Sequence, residues 1–201
     1  MTDRLSALDA SFLYLEGTNT PMHVGSLVLF SESPGAMDHE RLVRLIRERI
    51  SFLPRYRQRV REIPGGWASP VWVDDATFDV SFHVRRSALP APGTLEQLHD
   101  LVARIMSRPL DRRRPLWEVS LVEGIEGRRF ALLTKTHQAM VNGLSAVDIA
   151  EVILDDSQDA GLVPTTTWRP SPEPSYNYIV SVISLATCSF ILVVPRLRDA
   201  T

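Results

Sequence analysis

Apolar residues return at three- and four-residue spacing in two stretches and alternate or cluster in short runs elsewhere, which predicts a chain of mixed helices and strands. After Asp38, the positions Leu42, Leu45, Ile46 and Ile50 share one side of a helix, with Asp38 as its N-cap and Pro54 as its stop. Thr94 to Met106 repeats the pattern through Leu95, Leu98, Leu101, Val102 and Ile105, opened by a Thr94/Gln97 capping-box pair and closed by Pro109. Val24 to Phe30 is a short apolar run suited to a buried strand, and Val71 to Val73 and Val80 to Val84 read as strands too. Pro64-Gly65-Gly66 and Asp74-Asp75 mark turns. Trp117 to Val122 and Phe130 to Thr136 form a predicted hairpin, with Gly124 and Gly127 in the connection. Leu144, Val147, Ala150 and Leu154 then place a helix starting near Gly143.

Composition narrows the class. A chain of 201 residues with 44% hydrophobic content can bury one sizeable core, so one globular domain plus a tail suffices. The net charge of −2 argues against nucleic acid as a partner. Cys188 is the only cysteine, which permits no internal disulfide and fits a reducing compartment. Asp3, Arg4 and Asp9 interrupt any apolar leader, so the expected location is the cytoplasm or the cytoplasmic face of a membrane. His23, His39, His83 and His99 stand at no metal-binding spacing, and neither a GxSxG elbow nor a phosphate-binding glycine loop occurs.

The chemistry concentrates at the end of the second hairpin strand, where His137, Gln138, Ala139, Met140, Val141, Asn142 and Gly143 occupy seven consecutive positions. Together with Leu8 to Phe30 and Pro109 to Glu118, the segment Thr134 to Ile149 resembles the bacterial wax ester synthase/diacylglycerol acyltransferase family over roughly residues 5 to 170. Pro115-Leu116-Trp117 favours that branch among acyltransferases sharing the HHxxxDG motif. The resemblance implies an α/β fold, a mixed sheet flanked by helices that forms the N-terminal half of a chloramphenicol-acetyltransferase-like two-domain enzyme. It also implies transfer of a fatty acyl group from acyl-CoA to diacylglycerol or a long-chain alcohol, without any cofactor beyond acyl-CoA as substrate.

Two motif positions depart from the pattern. The family's second histidine is its general base, and Gln138 stands there. An amide can orient an alcohol but cannot hold an abstracted proton. The family's aspartate anchors the loop against a basic group; Asn142 keeps the size and loses the charge, and Arg112, Arg113 and Arg114 are candidates for that basic partner. His137 corresponds to the supporting histidine, and Gly143 to the glycine that permits close backbone approach. Leu116 and Trp117 read as core packing beneath the site.

Eight arginines crowd between Arg41 and Arg61 with Glu48 as the only acid, and Lys135 is the chain's only lysine. The arginines suit phosphates of coenzyme A or anionic headgroups, or simply a solvated helix face. The expected organisation is an acyltransferase domain over 1–155, a proline-rich linker over 156–174 and an apolar, atypical tail over 175–201. Tyr176 to Val194 carries no charge and approaches the roughly 20 residues of a spanning helix, a buried strand or a disordered remnant being the alternatives. Its character and the stop at Thr201 suggest a shifted frame or a replaced terminus, and a missing second domain would leave an apolar face for self-association or a homologous partner. Two functions follow: a weak or inactive O-acyltransferase of triacylglycerol or wax ester synthesis, at a membrane face or lipid body; or a non-catalytic relative that binds acyl-CoA, lipid or a homologue.

Overall fold

The computed structural model describes residues 3–32, 37–50, 53–63, 68–141 and 170, and the backbone of strands within 177–196. The chain divides into two compact units, Met1–Ser171 and Pro172–Thr201. In the first, β1 (Asp3–Arg4) and α1 (Ala7–Leu15) precede β2 (His23–Ser31) and α2 (His39–Ile50). A short 3-10 turn at Pro54–Arg57 leads into β3 (Gln58–Arg61) and β4 (Val71–Asp74). Then come α3 (Val80–His83), β5 (Val84–Ala88), α4 (Leu95–Met106), β6 (Trp117–Ile125), β7 (Arg129–His137) and α5 (Gln138–Val141).

A four-stranded sheet of order β2-β7-β6-β5 organises the unit, and a three-stranded sheet of order β1-β4-β3 lies apart from it. The β5–β6 pair is parallel, because α4 forms the crossover between them; β6–β7 and β7–β2 are antiparallel. Alternation along β6 and β7 sends Val119, Leu121, Phe130 and Leu132 into the larger core with α1 and α2. Val122 and Ala131 face the other way and pack with Leu98 of α4. Mixed sheet and flanking helices are thus the architecture that the pattern and the resemblance predicted.

Local chemistry explains the boundaries. The Asp38 carboxylate accepts from the Arg41 N–H at 2.7 Å, and Leu42, Val43, Ile46 and Ile50 are buried while Arg44 and Arg47 face solvent. Thr94 and Gln97 complete the predicted capping box at 3.2 and 2.8 Å. Of the predicted apolar face of α4, only Leu98 is fully enclosed and Leu95 is exposed, because the smaller core beneath the helix is narrow. The hairpin is longer than predicted. Its strands extend to Ile125 and from Arg129 around a tight turn, with Gly124, Gly127 and Arg128 at positive φ and the register shifting between Val122 and Ile125. A side chain on Gly93 would meet the Gly124 carbonyl oxygen at 1.9 Å, so the loop before α4 depends on two glycines touching.

Two expectations need correction. Val80 to His83 is a helical turn rather than strand, since Asp79 caps it by accepting from the Ser81 N–H at 2.9 Å; the strand starts at Val84. Among the described residues β2 is an edge strand paired with β7, and Val24 and Leu29 are 40% and 38% accessible. In the second unit, β8 (Asn177–Leu185) and β9 (Cys188–Arg196) pair antiparallel from Asn177 opposite Arg196 to Leu185 opposite Cys188. Of the alternatives held open for this tail, strand pairing is the one present, in keeping with its β-branched content. Among the described residues no helix is long and apolar enough to cross a membrane.

Candidate functional site

The motif begins as β7 ends. His137 is its last residue and Gln138 opens α5 directly. The backbone holds this junction from two sides: the His137 N–H donates to the Leu116 carbonyl at 3.0 Å and the Gln138 N–H to the Met22 carbonyl at 2.8 Å. The Pro115-Leu116-Trp117 segment is therefore a wall of the site, and Leu116 and Trp117 are wholly enclosed as predicted. Asn142, Gly143 and the helix predicted after them lie outside the described residues.

His137 and Gln138 sit in different surroundings. Gln138 is half-buried, whereas His137 has no accessible surface. The Ala139 N–H donates to His137 Nδ1 at 3.0 Å, which leaves the ring proton on Nε2. That nitrogen points toward the Glu16 Oε1, 3.7 Å away and beyond hydrogen-bond reach, and has no hydrogen-bond partner among the described residues. Burial drives the His137 pKa down to about 4; the Glu16 carboxylate opposes the shift and the Arg112 guanidinium assists it.

Glu16 was absent from the sequence-based candidates. Its side chain is almost fully enclosed and receives both Arg112 Nε at 3.1 Å and Arg112 Nη2 at 2.9 Å, while Arg112 also donates to the Leu13 carbonyl. Of the three candidate arginines, Arg112 is the one bound to Glu16, the carboxylate that lies 3.7 Å from His137. Arg113 pairs with Asp111 at 2.9 Å, and Arg114 lies 3.8 Å above the Phe82 ring.

His23 was read as scattered, yet it sits opposite His137 across the β2–β7 ladder, its Nε2 donating to the Met106 carbonyl. Burial lowers its pKa. Beside it, the buried Lys135 ammonium donates to the Ile105 carbonyl at 2.9 Å and to the Arg108 carbonyl. Lys135 and His23 thus tie the last turn of α4 to the strand that delivers the motif. Only a register from strand pairing could have joined His23 to His137, which lies more than a hundred positions away.

A second buried histidine supports the wall. His83 stacks on Trp117 with ring centroids 4.5 Å apart and donates through Nδ1 to the Trp117 carbonyl at 2.8 Å. Burial again lowers its pKa, to about 4. Both imidazoles stay neutral in the fold down to about pH 4 but take a proton near 6.5 when unfolded. The unfolded state then binds more protons between those values, so stability is level above pH 6.5 and falls as pH drops toward 4. Thermal melts from pH 7 to 4.5 should show a loss on the order of 1–3 kcal/mol per histidine. A His83→Phe protein, which keeps the ring stack, should lose less over that range; melts insensitive to pH in both proteins would contradict the buried, neutral assignment.

Among the described residues no group of three histidine, cysteine or acidic side chains could hold a metal ion. What the arrangement offers chemically is a rigid strand end presenting the half-buried side chain at 138 beside a neutral, inaccessible imidazole.

Residues 5–195 match the family described as the wax ester synthase/diacylglycerol acyltransferase catalytic domain, a match that runs on through most of the tail set apart in the sequence. The chain is 50% identical over 174 residues to a Mycobacterium tuberculosis protein named "Probable diacyglycerol O-acyltransferase tgs3", covering 87% of this chain and 64% of that one. It is 40% identical over 176 residues to "Probable diacyglycerol O-acyltransferase tgs2" of the same organism, covering 86% of this chain and 38% of the relative. The chain therefore spans less than two thirds of the length of these relatives. Among solved structures, the wax ester synthase/diacylglycerol acyltransferase from Marinobacter aquaeolei VT8 superposes with a TM-score of 0.61 at 41% identity, over 71% of this chain and 36% of that one. The first condensation domain of the calcium-dependent antibiotic synthetase, at 17% identity and TM-score 0.57 over 71% of this chain and 34% of that one, shares the fold.

Proposed function

The chain belongs to the wax ester synthase/diacylglycerol acyltransferase family, and we propose that it carries an O-acyltransferase site whose turnover is very low because no base stands at the motif. In the proposed reaction an alcohol oxygen of diacylglycerol or a long-chain alcohol attacks the thioester carbonyl of acyl-CoA. The C–O bond forms, the C–S bond breaks, and the alcohol proton leaves finally on the thiol of free coenzyme A. A group with a pKa near working pH must hold that proton in between.

The seating of His137 carries this reading. With Nδ1 occupied by the Ala139 N–H, Nε2 already protonated and the ring inaccessible, His137 has no free lone pair to offer an alcohol. Gln138 is placed to touch a substrate and lacks the chemistry. The same pair of facts favours the second reading, a non-catalytic relative that binds acyl-CoA, lipid or a homologous chain through an intact scaffold.

Release of coenzyme A from a long-chain acyl-CoA in the presence of diacylglycerol tests the proposal. The expected rate lies within a few-fold of a heat-treated control. Turnover in the ordinary enzymatic range, about 1 s⁻¹ or faster, would overturn it and require a base other than the two motif side chains.

A further inference from the structure

A cleft of about 380 Å³ opens on the α4 face of the sheet, between the end of that helix and strands β5 and β6. Its volume falls within the range of small-molecule sites. Arg85, Arg86 and Arg108 line it, with Ser87 and Ser120, against one carboxylate, Glu118. Ser120 is 3% exposed, so a hydroxyl lies in the floor of the cleft on a central strand.

The charges there do not cancel. Arg86 is committed to Glu123 at 2.8 Å. Arg85 is half-exposed, 3.7 Å from Glu118 and 4.6 Å over the Phe82 ring, and Arg108 has no ion pair among the described residues. Glu118 is itself shared, since it lies opposite the Lys135 ammonium on the β6–β7 ladder. The end of α4 should add negative potential to the cleft through its last carbonyls. Instead Lys135 and His23 occupy the carbonyls of Ile105, Met106 and Arg108 from the sheet side. The chain's single lysine thus neutralises the helix end, and the cleft keeps an excess of guanidinium with two hydroxyls beneath it.

We propose that this cleft binds the phosphate groups of an anionic ligand, with Arg85 and Arg108 as the paired clamps and Ser87 and Ser120 as donors below. Guanidinium is suited to phosphate because its planar fork offers two parallel N–H donors. The proposal stands independently of acyl transfer, because it concerns charge and shape at a cleft lined by none of the motif residues.

Calorimetric titration of the whole chain with inorganic pyrophosphate at low salt tests it. Saturable binding is expected, weakened by about tenfold or more in an Arg85→Gln/Arg108→Gln protein, weakened by added salt, and unchanged within about twofold in an Arg4→Gln/Arg128→Gln control, both exposed and outside the cleft. Coenzyme A and phosphatidate vesicles, titrated in parallel, distinguish a soluble phosphate ester from a lipid headgroup; whichever binds must lose affinity in the Arg85/Arg108 protein. No saturable binding by any of the three, or equal losses in both double variants, overturns the site.

Discussion

A Trp117→Ala protein is expected to lose about 3–5 kcal/mol of stability, enough to unfold much of a domain whose total is commonly about 5–15 kcal/mol. Trp117 is wholly enclosed, and its indole N–H donates to the Tyr56 carbonyl at 2.8 Å. The ring meets Tyr56 edge-on at 6.0 Å and stacks on His83 at 4.5 Å. Alanine removes all three contacts, leaves the Tyr56 carbonyl without its donor and opens a cavity between α2, the 3-10 turn and the sheet. Trp117→Phe keeps the stack and loses the hydrogen bond, so its expected cost is smaller, about 1–2 kcal/mol. Urea denaturation with unchanged slope separates the two. An alanine cost below about 1 kcal/mol would mean that the wall under the motif closes over the gap, and the rigid strand end would lose its support.

Trp117 also marks where sequence reasoning succeeds and where it stops. Caps and periodicity are local, so the Thr94/Gln97 box, the α2 face and the strand ending at His137 were legible from a few neighbouring residues. Val80 to His83 misled because its alternation fits a strand, while a single Asp79 carboxylate decides for a turn of helix. β2 read as a buried strand because an apolar run carries no mark of being at an edge. The site's other members were illegible for a different reason. Glu16, Arg112 and His23 come to His137, and Lys135 to the end of α4, only after the β2–β7 register and the α4 crossover are set. Nothing within a short window announces that a glutamate at the end of α1 faces a histidine at the end of β7.

Placing histidine at 138 and aspartate at 142 together should raise coenzyme A release over the unmodified chain by about 10²-fold or more, the contribution typical of a positioned base. Position 138 is the right one to restore, because its backbone N–H is already fixed on the Met22 carbonyl and its side chain is half-buried. An imidazole there would keep contact with water and so escape the burial that drives His137 down to about 4. The neighbouring strand end needs no rebuilding: His137 stays held by Leu116 and Ala139, and Arg112 stays on Glu16. Gln138→His alone isolates the base, and Asn142→Asp alone, which supplies charge without a base, should remain near the unmodified rate. If the doubly changed chain is as slow as the original, the base is not what limits it, and the deficit lies outside positions 138 and 142.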